Sequence, residues 1–155
     1  MNGRKMEVNI QSNVNPHFRS VWTTSKPYNV LKGGRNSFKS SVIALLLVYM
    51  IIPFLVAGKK ANVVVIRKVG NTIRDSGFLK IQWALSKFGL SGRFKATVSP
   101  FKIQDTVTGS CFYFYGQDDF QKLKSNDIGN IIAVWYEEAA EFGSEEDFDQ
   151  SNVTF

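Results

Sequence analysis

Between Val42 and Ala57 the chain runs through sixteen residues, VIALLLVYMIIPFLVA, without one charged side chain. A stretch this apolar has to leave water, in a protein core or in lipid. It falls short of the roughly 20 apolar residues that span a bilayer as a helix. Pro53 interrupts it and Lys39 lies just before it. A buried helix is therefore expected, with no membrane as partner. The N-terminus is polar and lacks the apolar stretch of a signal peptide, so no leader is expected. Gly58-Lys59-Lys60 marks the end of the helix, and Asn62-Val63-Val64-Val65-Ile66-Arg67 follows. That β-branched run fits a strand buried on both faces, as in a parallel sheet.

The rest of the chain extends this pattern. Residues 1–26 are polar, with a turn expected at Asn15-Pro16 and a short helix carrying Phe18, Val21 and Trp22 on one face. Tyr28 to Leu31 reads as a short strand, Gly33 to Lys39 as a loop, and Ser40 onward as helix. Thr72 to Phe88 predicts a second helix, with Ile73, Phe78, Ile81, Leu85 and Phe88 at near-helical spacing. Phe94–Val98, Phe101–Thr106 and Ser110–Tyr115 are strand candidates, and Thr108-Gly109 suits a hairpin turn. Ile128 to Trp135 is a further apolar strand, ending at Tyr136-Glu137-Glu138. Strand, glycine loop, helix, strand, helix argues an α/β fold with a mostly parallel sheet and a β-hairpin insertion near 94–115.

Charge is distributed unevenly. Residues 1–100 hold 16 Lys and Arg and two acids, whereas residues 101–155 hold three basic residues and 11 acids. Such segregation suggests a basic face for a polyanion, nucleotide phosphates or DNA, or a plain solvated surface. Cys111, the one cysteine, excludes an internal disulfide and a cysteine-rich zinc site. Its apolar neighbours predict a buried structural thiol. His17, the one histidine, lies in a polar stretch without ligand partners in sequence.

Two segments carry chemistry. Gly33-Gly34-Arg35-Asn36-Ser37-Phe38-Lys39-Ser40 approximates the G-x-x-x-x-G-K-[ST] phosphate loop. Gly33, Lys39 and Ser40 fit, while Phe38 stands where glycine is expected. Loop N–H groups would face phosphate oxygens, Lys39 would reach the outer phosphates, and Ser40 would ligate Mg²⁺. The alternative is an ordinary helix start capped by serine. The apolar strand ending in Glu137-Glu138 would supply the acids such a loop needs. The first would serve the metal, through a water or from slightly further back because glutamate is long, and the second would orient or polarise the attacking water. The alternative there is a strand that feeds an acidic helix.

These residues together resemble the large terminases of tailed phages, whose phosphate loops run GGRxSxKS where this chain reads GGRNSFKS. Further resemblance lies at Val65–Val69, Thr72–Ser76, Phe114–Asp119, Lys122–Ser125 and Trp135–Ala139, and covers about Asn15 to the C-terminus. The resemblance implies a three-layer P-loop NTPase fold, with residues 1–26 as a polar segment and 27–155 as part of the ATPase domain. It implies ATP and Mg²⁺ as cofactors, Gly33 to Ser40 on the nucleotide, Ser40 and Glu137 on the metal, and Glu138 as the catalytic carboxylate. Arg35 would act on the γ-phosphate, Arg67 is a candidate arginine finger, and Phe18 would lie on the adenine side. The implied partners are double-stranded DNA, a portal protein, a small terminase subunit and further copies of the chain, in the host cytoplasm. Neither the coupling motif nor the nuclease domain of the family is recognisable. The fold is thus expected to be incomplete at the C-terminus, with weak ATP binding and slow or absent turnover by this chain alone. A helicase-like nucleotide-binding protein and a non-catalytic basic nucleic-acid-binding module are the competing readings.

Overall fold

The computed structural model describes residues 12, 14–32, 38–67, 74–116 and 128–138. A 3₁₀ turn at Pro16–Phe18 leads into helix α1 (Arg19–Thr23), and the long helix α2 covers Lys39–Val56. Strand β1 (Asn62–Arg67) follows, then a π-helical turn at Arg74–Phe78 that runs into α3 (Leu79–Lys87). Strands β2 (Phe94–Val98), β3 (Phe101–Asp105), β4 (Cys111–Gly116) and β5 (Ile131–Glu137) complete a sheet of order β2-β3-β4-β1-β5.

Strand β1 is central to the apolar half of the sheet. Val63, Val64, Val65 and Ile66 are fully buried, so the backbone polar groups there must pair with other strands. They do so with β4 on one side and β5 on the other, both parallel. The register sets Arg67 beside Gly116 and Glu137, so these three strands end at one edge. The remaining pairings, β2 with β3 and β3 with β4, are antiparallel. The sheet is thus mixed, parallel around β1 and antiparallel from β2 to β4. The expected hairpin is no insertion: its β4 strand continues the sheet directly beside β1.

Helices α2 and α3 lie on one face of the sheet. Ala44, Leu45, Val48, Ile51 and Leu55 of α2 recur at helical spacing and join Val63, Val65, Phe112 and Trp135 in one core. Burying each large aliphatic side chain contributes about 1.5–3 kcal/mol, enough to hold so apolar a helix against the sheet. By length and composition alone α2 could cross a membrane, but this face of it is protein core. Its end is a Schellman motif: Lys59 N–H bonds Phe54 C=O, Gly58 N–H bonds Leu55 C=O, and Gly58 takes a φ of 66°. The opposite face of the sheet carries Val64, Ile66, Tyr115, Val134 and Tyr136. Among the described residues no helix joins the cluster on that face, so they form two layers of the three expected.

Two local expectations change. Tyr28 to Leu31 forms no strand; the segment is irregular, with Tyr28 and Val30 71% and 93% exposed. A strand needs a partner, and none of the described strands pairs with this segment. Asn29 instead folds back to donate to the Lys26 carbonyl. The second helix is two elements, a π turn and then α3, and Phe88 lies just past its end while remaining core. Residues 72 and 73 lie outside the described residues. Cys111 is fully buried and burial pushes its thiol up to about 11, which makes it the inert core residue expected.

A half-buried ion pair ties the hairpins together. Arg93 clamps Asp105 with Nε on Oδ1 at 2.6 Å and Nη2 on Oδ2 at 3.0 Å. Thr108 donates to Oδ2 through its N–H and its hydroxyl, closing the β3–β4 turn. Burial works to raise the Asp105 carboxyl, but Arg93 and Thr108 outweigh it and hold the group down to about 2. The folded form thus keeps the carboxylate ionised below the usual carboxylate range. Its contribution is complete above about pH 4 and is lost as pH falls toward 2, a change of at most about 2 kcal/mol. Acid unfolding followed by circular dichroism should show this loss, and Asp105→Asn should flatten it.

Candidate functional site

In open α/β sheets, ligands bind outside the carboxyl ends of the parallel strands. Here that edge collects Arg67 from β1, Gly116 from β4, and Glu137 and Glu138 from β5. Helix α2 begins at Lys39 and returns to the start of β1, which sets its N-terminal end toward the same edge. A contact chain links the parts: Lys80 Nζ donates to Ser41 Oγ at 3.0 Å, joining α3 to the first turn of α2. Three residues before Lys80, the N–H of Gly77 donates to Glu137 Oε2 at 3.1 Å.

Glu137 is the centre of this arrangement. It is 4% exposed, on the helix-covered side of the sheet. Ser76 Oγ donates to its Oε2 at 2.6 Å, and Arg67 Nη1 donates to the same Ser76 Oγ at 2.7 Å. Arg67 therefore meets the acid through a hydroxyl inside its own chain. Burial pushes the Glu137 carboxyl up; the Ser76 hydroxyl, Arg67 and the Gly77 N–H counter this in part, and neighbouring Glu138 adds to it. An acid in this position gains from an added cation, because a positive ion compensates the lost hydration of the ionised form. Both described hydrogen bonds converge on Oε2. Glu138 follows at the strand end, exposed, with a φ of 53°.

Phe38 is the N-cap of α2 and adopts φ 60°, ψ 7°, the left-handed region. That is the conformation glycine enters without steric cost. The residue type departs from the phosphate-loop pattern, but its backbone takes the shape that glycine would allow. The Phe38 side chain is 68% exposed, and it clears the helix start. Lys39 and Ser40 are half-buried in the first turn of α2. Gly33, Gly34, Arg35, Asn36 and Ser37 lie outside the described residues. Phe18 is buried beneath the N-terminal turn and lines an open cleft of about 390 Å³ with Val21, Thr24, Asn29 and Leu31.

A family model described as phage terminase large subunit matches residues 25–155. The chain belongs to the phage terminase large-subunit family. Two curated relatives agree with this membership. The terminase large subunit of Bacillus phage SPP1 is 34% identical over 149 residues, covering 91% of this chain and 34% of that protein. The PBSX phage terminase large subunit of Bacillus subtilis strain 168 is 35% identical over 133 residues, covering 85% of this chain and 29% of that protein. The chain thus spans about a third of the length of these terminase subunits.

Sequence reasoning singled out both acids and the helix-start lysine and serine, but it assigned no role to Ser76 or Gly77. Asp75-Ser76-Gly77 reads as part of the helix expected over Thr72–Phe88, and only the pairing of β1 with β5 brings it against Glu137. Two outcomes follow from this geometry. Glu137→Gln keeps an acceptor for Ser76 and Gly77 and should cost less than about 1 kcal/mol, whereas Glu137→Ala strands both donors and should cost about 2 kcal/mol. Phe38→Gly should raise stability by about 1 kcal/mol by relieving the left-handed backbone. Urea unfolding of the three variants measures all of these.

Proposed function

We propose that this chain forms the nucleotide-binding face of the ATPase of a phage DNA-packaging terminase. The observation that supports it best is the meeting of a buried, cation-seeking Glu137 with Arg67 at the carboxyl edge of parallel strands, linked through α3 to the start of α2. On this reading the loop Gly33 to Ser40 cradles ATP phosphates, with Lys39 on the outer phosphates and Arg35 on the γ-phosphate. Phe18 and its cleft take the adenine side. Ser40 and Glu137 would hold magnesium, which when bound neutralises charge on the β- and γ-phosphates. Glu138, exposed at the strand end, orients and polarises the attacking water.

In the whole terminase this ATPase drives double-stranded DNA into a procapsid, together with a portal protein, a small terminase subunit and further copies of the large subunit. Arg67 is engaged with Ser76 in its own chain, so a finger role across a subunit boundary would require it to leave that hydroxyl. The lysine-rich first hundred residues suit a polyanion, of which the nucleotide is the nearer candidate.

Calorimetry with ATP tests the reading. Binding should strengthen on adding Mg²⁺, and Lys39→Ala should weaken it by about tenfold or more, about 1.4 kcal/mol. Salt-sensitive DNA binding that ignores both ATP and Lys39→Ala would instead support a non-catalytic nucleic-acid module.

A further inference from the structure

We infer that Ser76, together with the backbone N–H of Gly77, is a positioning element that fixes which oxygen of Glu137 turns toward a bound magnesium ion. The inference rests on the nucleotide reading above and adds to it a residue that carried no role.

The two donors arrive from one turn and meet one oxygen. Ser76 Oγ and Gly77 N–H both reach Oε2 of Glu137, at 2.6 and 3.1 Å. Oε1 takes no hydrogen bond among the described residues. A carboxylate held by one oxygen cannot rotate freely, so its other oxygen has a defined direction. The same Ser76 hydroxyl accepts from Arg67 Nη1 at 2.7 Å. It therefore stands between a cation and an anion at facing positions of β1 and β5. Direct Arg67–Glu137 pairing would occupy the acid and compete with a metal; the hydroxyl keeps the two apart.

The turn that carries the donors is tightly fitted. It is a π turn, Arg74–Phe78, of the kind often found beside functional sites. Phe78 locks it from below, 4% exposed and edge-on to Phe101 and Phe114 at 5.6 and 5.2 Å. Space at Gly77 is tight. A Cβ there would lie 3.0 Å from Val65 Cγ1 and 3.2 Å from Glu137 Oε2. A side chain at 77 would need Val65 or the carboxylate to shift by a few tenths of an ångström.

The test measures ATP affinity of the full chain by calorimetry, once with Mg²⁺ and once with EDTA. The ratio gives the enhancement due to the metal. Outer-shell partners of metal ligands typically account for 10- to 100-fold in metal affinity. Ser76→Ala should therefore cut the Mg²⁺ enhancement by about tenfold, with affinity in EDTA little changed. Ser76→Thr, which keeps the hydroxyl, should restore it. Gly77→Ala should reduce the enhancement with Ser76 intact. Adding Ser76→Ala to Glu137→Gln should cost little more than Glu137→Gln alone, because both act through one carboxylate. A wild-type enhancement in Ser76→Ala overturns the inference and leaves the nucleotide reading standing. Equal losses with Mg²⁺ and with EDTA also overturn it, since they mark a merely structural serine. Folded wild-type chain with no Mg²⁺-enhanced ATP binding overturns both.

Discussion

Strand β1 imposes the constraint from which the rest follows. Four consecutive fully buried residues leave its backbone no access to water, so both of its edges must be paired within the protein. The partners, β4 and β5, come from distant parts of the chain, and the parallel register puts Arg67, Gly116 and Glu137 in one row. Side chains in that row that share a face must coexist. On the helix-covered face these are a guanidinium and a carboxylate, and the Ser76 turn is the piece that reconciles them.

Burial then gives the carboxylate its character. Glu137 would be an unremarkable strand-end acid if it faced solvent. Covered by the π turn and the start of α3, it is pushed up by desolvation and only partly rescued by its donors. Among the described residues no cluster of acids, histidines or cysteines forms a cage around it. On the proposed reading, this suits a metal that arrives with a nucleotide and keeps much of its water.

Much of this was legible in the residues. The apolar run at Val42–Ala57 read as a buried helix rather than a membrane span, and Val63 to Ile66 fitted a strand covered on both faces. The acids that end β5 stood out because charge follows directly on an apolar strand. Tyr28 to Leu31 misled because its strand-like composition is local, whereas strand formation depends on a partner. The mixed character of the sheet was hidden for a similar reason: alternation reports burial, and the direction of a neighbour leaves no trace in it. Ser76 and Gly77 were invisible because their meaning lies entirely in a contact sixty-one and sixty residues away.

The left-handed backbone at Phe38 has a consequence for entropy. A glycine at this position would enter that region easily and leave it just as easily, so a ligand would have to still it on binding. Phenylalanine has few other places to go once the helix behind it has formed. The folding reaction therefore pays for ordering the turn in advance, and a phosphate bound there as proposed would meet a shape already set. On that reading, the residue that departs from the glycine pattern exchanges a little native stability for a smaller disorder to be lost on binding.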